Sequence, residues 1–119
     1  TLQWARDRYR RVALFGYSFG GGVALTAAAE QSRSGDPPAA VSVLAPAGTL
    51  AGESTADSIA DIDAPLQVVY GERDDTAAWE SVVEEARAAG ATVVGWEADH
   101  FFTSRHRDVG ETVAAFLTE

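Results

Sequence analysis

Residues 12–20 read Val12-Ala13-Leu14-Phe15-Gly16-Tyr17-Ser18-Phe19-Gly20, a short apolar run that ends at a glycine, then a serine with a second glycine two residues further on. The run Val12 to Phe15 reads as a buried strand. The alanine-rich stretch that follows, Phe19 to Gln31, reads as a helix. A Gly-x-Ser-x-Gly string between a strand and a helix predicts a sharp elbow that raises the serine above the strand end. The glycines either side, Gly16 and Gly20, are expected to keep side chains out of the bend.

Three further runs rich in β-branched residues, Val41 to Leu44, Leu66 to Tyr70 and Ala91 to Trp96, predict three more strands. Between and after them lie helical spacings: Trp79, Val82, Val83 and Ala86, then Val109, Val113, Phe116 and Leu117. Leu2 to Tyr9 reads as a further helix. Strand and helix alternate, so the expected fold class is α/β: about four parallel strands flanked by helices in three αβα layers. Ser32 to Ala39 reads as a loop, and Pro46 to Asp63 as a longer irregular connection with one short helix near Ser58. Gly90 is placed to stop the helix before it, whose Glu84, Glu85 and Arg87 form a solvated face.

Two more strings follow strands. Gly71-Glu72-Arg73-Asp74-Asp75 comes after Tyr70, and Asp99-His100-Phe101-Phe102 comes a few residues after Trp96. The chain order Ser, Asp, His at strand ends fits nucleophilic acyl chemistry. A serine hydroxyl needs a base to take its proton, and the oxyanion that forms needs fixed donors. Ser18 is the expected nucleophile, His100 the base and Asp74 the acid that orients it, with Asp75 second. The backbone N–H of Phe19 would be one oxyanion donor. Each has a plainer reading: Ser18 as a cap in a nucleotide-binding turn, Asp74 as the cap of a helix starting near Thr76, His100 as a satisfied core residue. No Gly-x-Gly-x-x-Gly or Gly-Lys-Ser/Thr string supports the nucleotide reading. His106, between Arg105 and Arg107, reads as solvated. Two histidines without HExxH spacing make no metal site, and neither metal nor cofactor is expected. Phe19, Phe101, Phe102 and Trp79 either line an apolar acyl pocket or pack the core and brace the histidine loop.

Taken together, the three strings resemble the C-terminal half of an α/β-hydrolase. The similarity is greatest to small dienelactone-hydrolase-like and acyl-peptidase-like serine hydrolases, whose last motif reads Ala-Asp-His-Phe-Phe, here Ala98 to Phe102. The resemblance spans essentially the whole chain and implies Ser18, Asp74 and His100 at the triad positions and Phe19 at the oxyanion position. It implies hydrolysis of an ester, thioester, lactone or small peptide. An α/β-hydrolase has about eight strands, and those before the elbow carry the loop with the second oxyanion N–H. Residues 1–119 therefore read as one incomplete domain, short of activity on its own. The strand Val12 to Phe15 is expected to present an edge that pairs with a missing N-terminal half or with a second copy. Competing readings are a non-catalytic α/β-hydrolase-like binding module and an acyltransferase.

Composition narrows the partners. The chain has 119 residues, 46% of them apolar, and no cysteine, so neither a disulfide framework nor a thiolate metal site is available. No apolar stretch approaches the roughly 20 residues of a membrane span, and the expected location is cytoplasmic. Eighteen acidic residues face nine basic ones, giving a net charge of −9, which argues against nucleic acid and leaves a small acyl compound as the expected partner. All nine basic residues are arginine. An acidic, lysine-free surface fits a protein adapted to high salt, where self-repulsion is screened. The unfolding midpoint is then expected to rise from dilute buffer to molar potassium chloride; an unchanged midpoint in urea titrations would remove the halophilic reading.

Overall fold

The computed structural model describes residues 13–50 and 52–118. In chain order the elements are β1 (Ala13–Tyr17), α1 (Phe19–Arg33), β2 (Ala40–Leu44), β3 (Thr49–Leu50), β4 (Glu53–Ser54) and a 3-10 helix over Ala56–Asp61. Then come β5 (Leu66–Gly71), α2 (Glu80–Ala88), β6 (Thr92–Trp96) and α3 (His106–Leu117). The strands β1, β2, β5 and β6 form one parallel sheet in the order β1-β2-β5-β6. The expected α/β class and strand number are therefore found. The helix expected over Leu2 to Tyr9, and Val12, lie outside the described residues.

Alternation along the two central strands builds the core in two halves. Val41 and Val43 of β2, with Leu66 and Val68 of β5, pack against Leu25 and Ala28 of α1, Ile59, and Val82, Val83 and Ala86 of α2. Intervening residues face the other way: Leu44 and Val69 pack with Phe102 and with Val109 and Val113 of α3. Both faces are covered, which is why β2 is buried at every position and is apolar at all but Ser42. One polar pair sits inside, where the buried Ser42 hydroxyl donates to Gln67 Oε1 at 2.8 Å. β1 is different. Among the described residues no strand pairs with its outer side, and Phe15 is 51% exposed rather than buried.

Some boundaries differ from the sequence reading. β1 runs on to Tyr17, because its pairing with β2 continues through Gly16 and Tyr17, and α1 extends through Arg33 into the expected loop. The connection after Pro46 is less irregular than expected: β3 and β4 pair antiparallel, and the short helix near Ser58 is the 3-10 turn. α2 starts at Glu80 rather than near Thr76.

The elbow has the expected shape with a different use of its glycines. Ser18 sits at φ 55° and ψ −115°, a strained conformation that costs on the order of 1–3 kcal/mol. A Cβ on Gly16 would collide with the Gly20 carbonyl and approach Gly21 Cα to 2.8 Å, whereas one on Gly20 would meet nothing within 4 Å. The bend is crowded at Gly16 and open at Gly20. Gly16→Ala is therefore expected to lower stability by about 2 kcal/mol or more, and Gly20→Ala to be neutral or stabilising by up to about 1 kcal/mol, as alanine replaces glycine in a helix. Urea denaturation of the two variants checks the contrast.

Candidate active site

All four strands of the sheet run the same way, so Tyr17, Leu44, Gly71 and Trp96 end at one edge. Side chains carried just past that edge can meet there. This is where open α/β sheets gather ligand-binding groups. The described residues hold four non-glycine positions with positive φ: Ser18, Ala45, Phe102 and Ser104. All follow strands at this edge, so the local strain is concentrated there.

Ser18 follows β1 directly. Its N–H donates to Leu44 O at 2.8 Å and its carbonyl accepts from Ala47 N–H at 3.0 Å, which ties the elbow to the end of β2. The hydroxyl is thereby left facing His100: Ser18 Oγ lies 3.0 Å from His100 Nε2. Phe19 opens α1, where an N–H has no acceptor within the helix, so the expected oxyanion donor sits beside the serine.

The acid turn follows β5, and its two neighbouring carboxylates separate cleanly. Asp74 is 7% exposed, while Asp75 is exposed to solvent. Asp74 Oδ2 lies 2.8 Å from His100 Nδ1. Its other oxygen, Oδ1, accepts from the N–H groups of Thr76 and Ala77 at 2.8 and 3.0 Å. One residue thus closes the turn and meets the imidazole, with one oxygen for each, and caps no helix, since α2 begins only at Glu80. Trp79 completes the turn by donating its indole N–H to Asp74 O at 2.9 Å, while its ring stacks on Tyr70.

His100 is 5% exposed and hydrogen-bonded at both ring nitrogens. A carboxylate only accepts, so Nδ1 carries the proton toward Asp74 and Nε2 is left to accept from the serine hydroxyl. The loop around it is braced. Asp99 accepts from the Thr103 N–H and hydroxyl, both at 2.9 Å, and these bonds hold its carboxyl below the usual carboxylate range. His106 is exposed as expected, and its Nε2 donates to Phe101 O at 2.8 Å.

The aromatic residues divide. Phe19 and Phe101 are 65% and 63% exposed, and Phe101 meets the His100 ring edge-on at 5.2 Å. Phe102 packs in the core and also lines, with Tyr17, Phe101 and Val113, an apolar cavity of about 660 Å³ that neither Ser18 nor Trp79 lines, while Trp79 braces the acid turn. Among the described residues no cluster of three or more His, Cys, Asp or Glu is placed to hold a metal ion, and no helix is long and apolar enough to cross a membrane.

A model of the dienelactone hydrolase family matches residues 1–117. No curated protein matches in sequence. Among solved structures, Est1E from Butyrivibrio proteoclasticus superposes with a TM-score of 0.78 at 18% identity, covering 98% of this chain and 65% of its own. An enol-lactonase from Burkholderia xenovorans gives 0.77 at 19% identity, with 99% and 70% covered. The esterase domain of a Rhodothermus marinus protein gives 0.72 at 20%, with 95% and 62% covered. These likenesses place the chain in the α/β-hydrolase fold. It spans 65% of the length of the Butyrivibrio protein.

One side chain at the site carries no signal in the motif, where its position accepts any residue. Tyr17 donates its hydroxyl to His100 O at 2.9 Å, and its ring lies 5.6 Å from the imidazole. Burial, and then the charges of Asp74 and Asp99, push its phenol above the ordinary value of 10.0. A raised acid favours the folded state fully below the unfolded pKa, and the benefit is lost as pH rises through the folded one. Stability is therefore expected to fall above about pH 10 by more in the wild type than in Tyr17→Phe. Urea midpoints taken on both sides of that pH check the difference.

Proposed function

The chain belongs to the dienelactone hydrolase family, and from that membership we propose that it cleaves ester or related acyl bonds through Ser18, His100 and Asp74 by way of an acyl-enzyme. The observation that carries the reading is the unbroken relay Ser18 Oγ, His100 Nε2, His100 Nδ1, Asp74 Oδ2, with steps of 3.0 and 2.8 Å across the ring. It supports the following course.

Ser18 Oγ attacks the acyl carbon while its proton passes to Nε2. The imidazolium so formed is stabilised by Asp74, which also fixes the tautomer. The carbonyl oxygen becomes an oxyanion against the Phe19 N–H, and each such donor is worth on the order of 10²–10³ in turnover. As the tetrahedral species collapses, the bond to the leaving group breaks and Nε2 gives that group its proton. Water then attacks the acyl-serine, Nε2 takes the water's proton, and collapse returns a proton to Ser18 Oγ as the free acid leaves. The burial of His100 and Asp74 strengthens these steps, because charge developing between them is little screened by solvent.

A small acyl compound is the proposed substrate, and pairing of the outer side of β1 with a further strand is part of the same proposal. The test is a fluorophosphonate probe on the intact protein, read by mass spectrometry. Labelling is expected on Ser18, absent in Ser18→Ala and strongly reduced in His100→Ala. Asp74→Asn is expected to lower turnover by about 10⁴ and Asp75→Asn to leave it nearly unchanged. Labelling that persists in Ser18→Ala, or no labelling of the wild type, would overturn the reading. Release of free acid, rather than transfer to an added alcohol or thiol, separates hydrolysis from acyl transfer.

A further inference from the structure

The loop that carries His100 is attached unevenly to its surroundings. Toward the acid turn it is fastened by Glu72 N–H to Trp96 O at 2.8 Å, Arg73 N–H to Ala98 O at 3.0 Å, and Asp74 Oδ2 to Nδ1 at 2.8 Å. Gly71 brings the two segments together so closely that a Cβ there would lie 2.5 Å from the carbonyl oxygens of both Ala98 and Asp99. Histidine loop and acid turn are thus tied together by three hydrogen bonds and a close backbone approach. Toward the strand before Ser18 the hydrogen bonds among the described residues are two: Ser18 Oγ to Nε2, and the Tyr17 hydroxyl to His100 O.

The first of these cannot survive the chemistry. Once Ser18 Oγ is esterified it has no proton to offer Nε2, and Nε2 must instead receive the attacking water. From then until deacylation the Tyr17 hydroxyl gives the hydrogen bond that, among the described residues, still joins the histidine loop to the strand carrying the acyl group. Tyr17 and Ser18 are consecutive residues, so this bond fixes the imidazole relative to the acyl carbon over a short covalent path. The phenol can donate, since partial burial and then the charges of Asp74 and Asp99 favour its protonated form.

Resting on the acyl-enzyme reading above, we infer that Tyr17 is a positioning residue for the second half of the reaction: its hydroxyl, bonded to the His100 carbonyl, holds the imidazole over the acylated serine while Nε2 takes the proton of water. In that step the water O–H bond breaks, its proton goes to Nε2, and the oxygen joins the acyl carbon. Tyr17 itself neither gains nor loses a proton. Misplacement of a base by about 1 Å can slow such a step about a hundredfold.

Acylation and deacylation are timed separately on the intact protein, with a p-nitrophenyl ester of a short acid. Stopped-flow release of nitrophenolate gives the first step, and loss of the acyl mass from Ser18 gives the second. Tyr17→Phe keeps the ring and removes only the hydroxyl. It is expected to slow deacylation about tenfold while acylation stays within about threefold, so that acyl-enzyme accumulates. Equal slowing of both steps, the signature of a generally loosened site, would overturn the inference, as would no change in either. Should Tyr17→Phe fail to fold, 3,5-difluorotyrosine at position 17 keeps both ring and hydroxyl but ionises at lower pH. Deacylation is then expected to fall as that phenol loses its proton, and a profile parallel to the tyrosine form would overturn the inference. Fluorophosphonate labelling separates the two levels. A wild type that takes no label overturns the acyl-enzyme reading and this inference with it, whereas a labelled wild type with unselective Tyr17→Phe kinetics overturns this inference alone.

Discussion

The imidazole of His100 is almost wholly out of water and is nonetheless polar at both nitrogens. A ring in that position costs free energy unless both nitrogens find partners. The partners come from different strands: the serine hydroxyl from the end of β1 and the carboxylate from the end of β5, with the ring itself carried past β6. Three loops must therefore agree in position before the histidine is satisfied, and the constraint reaches back into the sheet. Parallel pairing of all four strands puts their ends level, and close packing of α1 and α2 on one face and α3 on the other keeps them so.

Asp74 explains a detail of the fold that propensity does not. Its Oδ1 takes the N–H groups of Thr76 and Ala77 into a turn, and helical structure is delayed to Glu80. The same bonds hold the carboxylate still, so that Oδ2 is aimed at Nδ1 without a search among rotamers. A helix begun at Thr76 would have used the side chain as an ordinary cap. In this turn the two uses of an aspartate support each other, and the buried side chain leaves Asp75 to solvent.

How much of this was legible in the sequence follows from what each signal encodes. Apolar runs such as Val41 to Leu44 and Leu66 to Tyr70 report burial on two faces, and they located the central strands to within a residue or two. The elbow was legible because a strand, a glycine and a helix meet within a few residues, all local. Gly20 was misjudged since a string cannot say which glycine faces an obstacle; the collision at Gly16 is with the backbone of the next turn. Asp74 could be ranked above Asp75 but not separated from it, because one residue of difference in a turn decides which carboxylate points inward. Tyr17 was invisible as a site residue. Its partner is a backbone carbonyl 83 positions away, and no side-chain pattern marks a backbone acceptor.

Distances across the sheet account for the rest of the strain. Adjacent strands lie about 4.8 Å apart, so β1 and β6, separated by β2 and β5, are about 14 Å apart where they end. A histidine carried just past β6 would stand well short of Ser18 unless its loop turned back over β5. That return requires the chain to pass directly above Gly71, where the Ala98 and Asp99 carbonyls occupy the space of a side chain. It also requires tight reversals, taken at Phe102 and Ser104 with φ of 52° and 66°. Phe102 repays part of that strain by burying its ring with Val109 and Val113 of α3. The reach from β6 to β1 is thus supported from below by the sheet, from one side by α3, and at its far end by the hydroxyl of Tyr17. Tyr17 ends β1, so this last support joins the histidine loop directly to the strand that leads into Ser18.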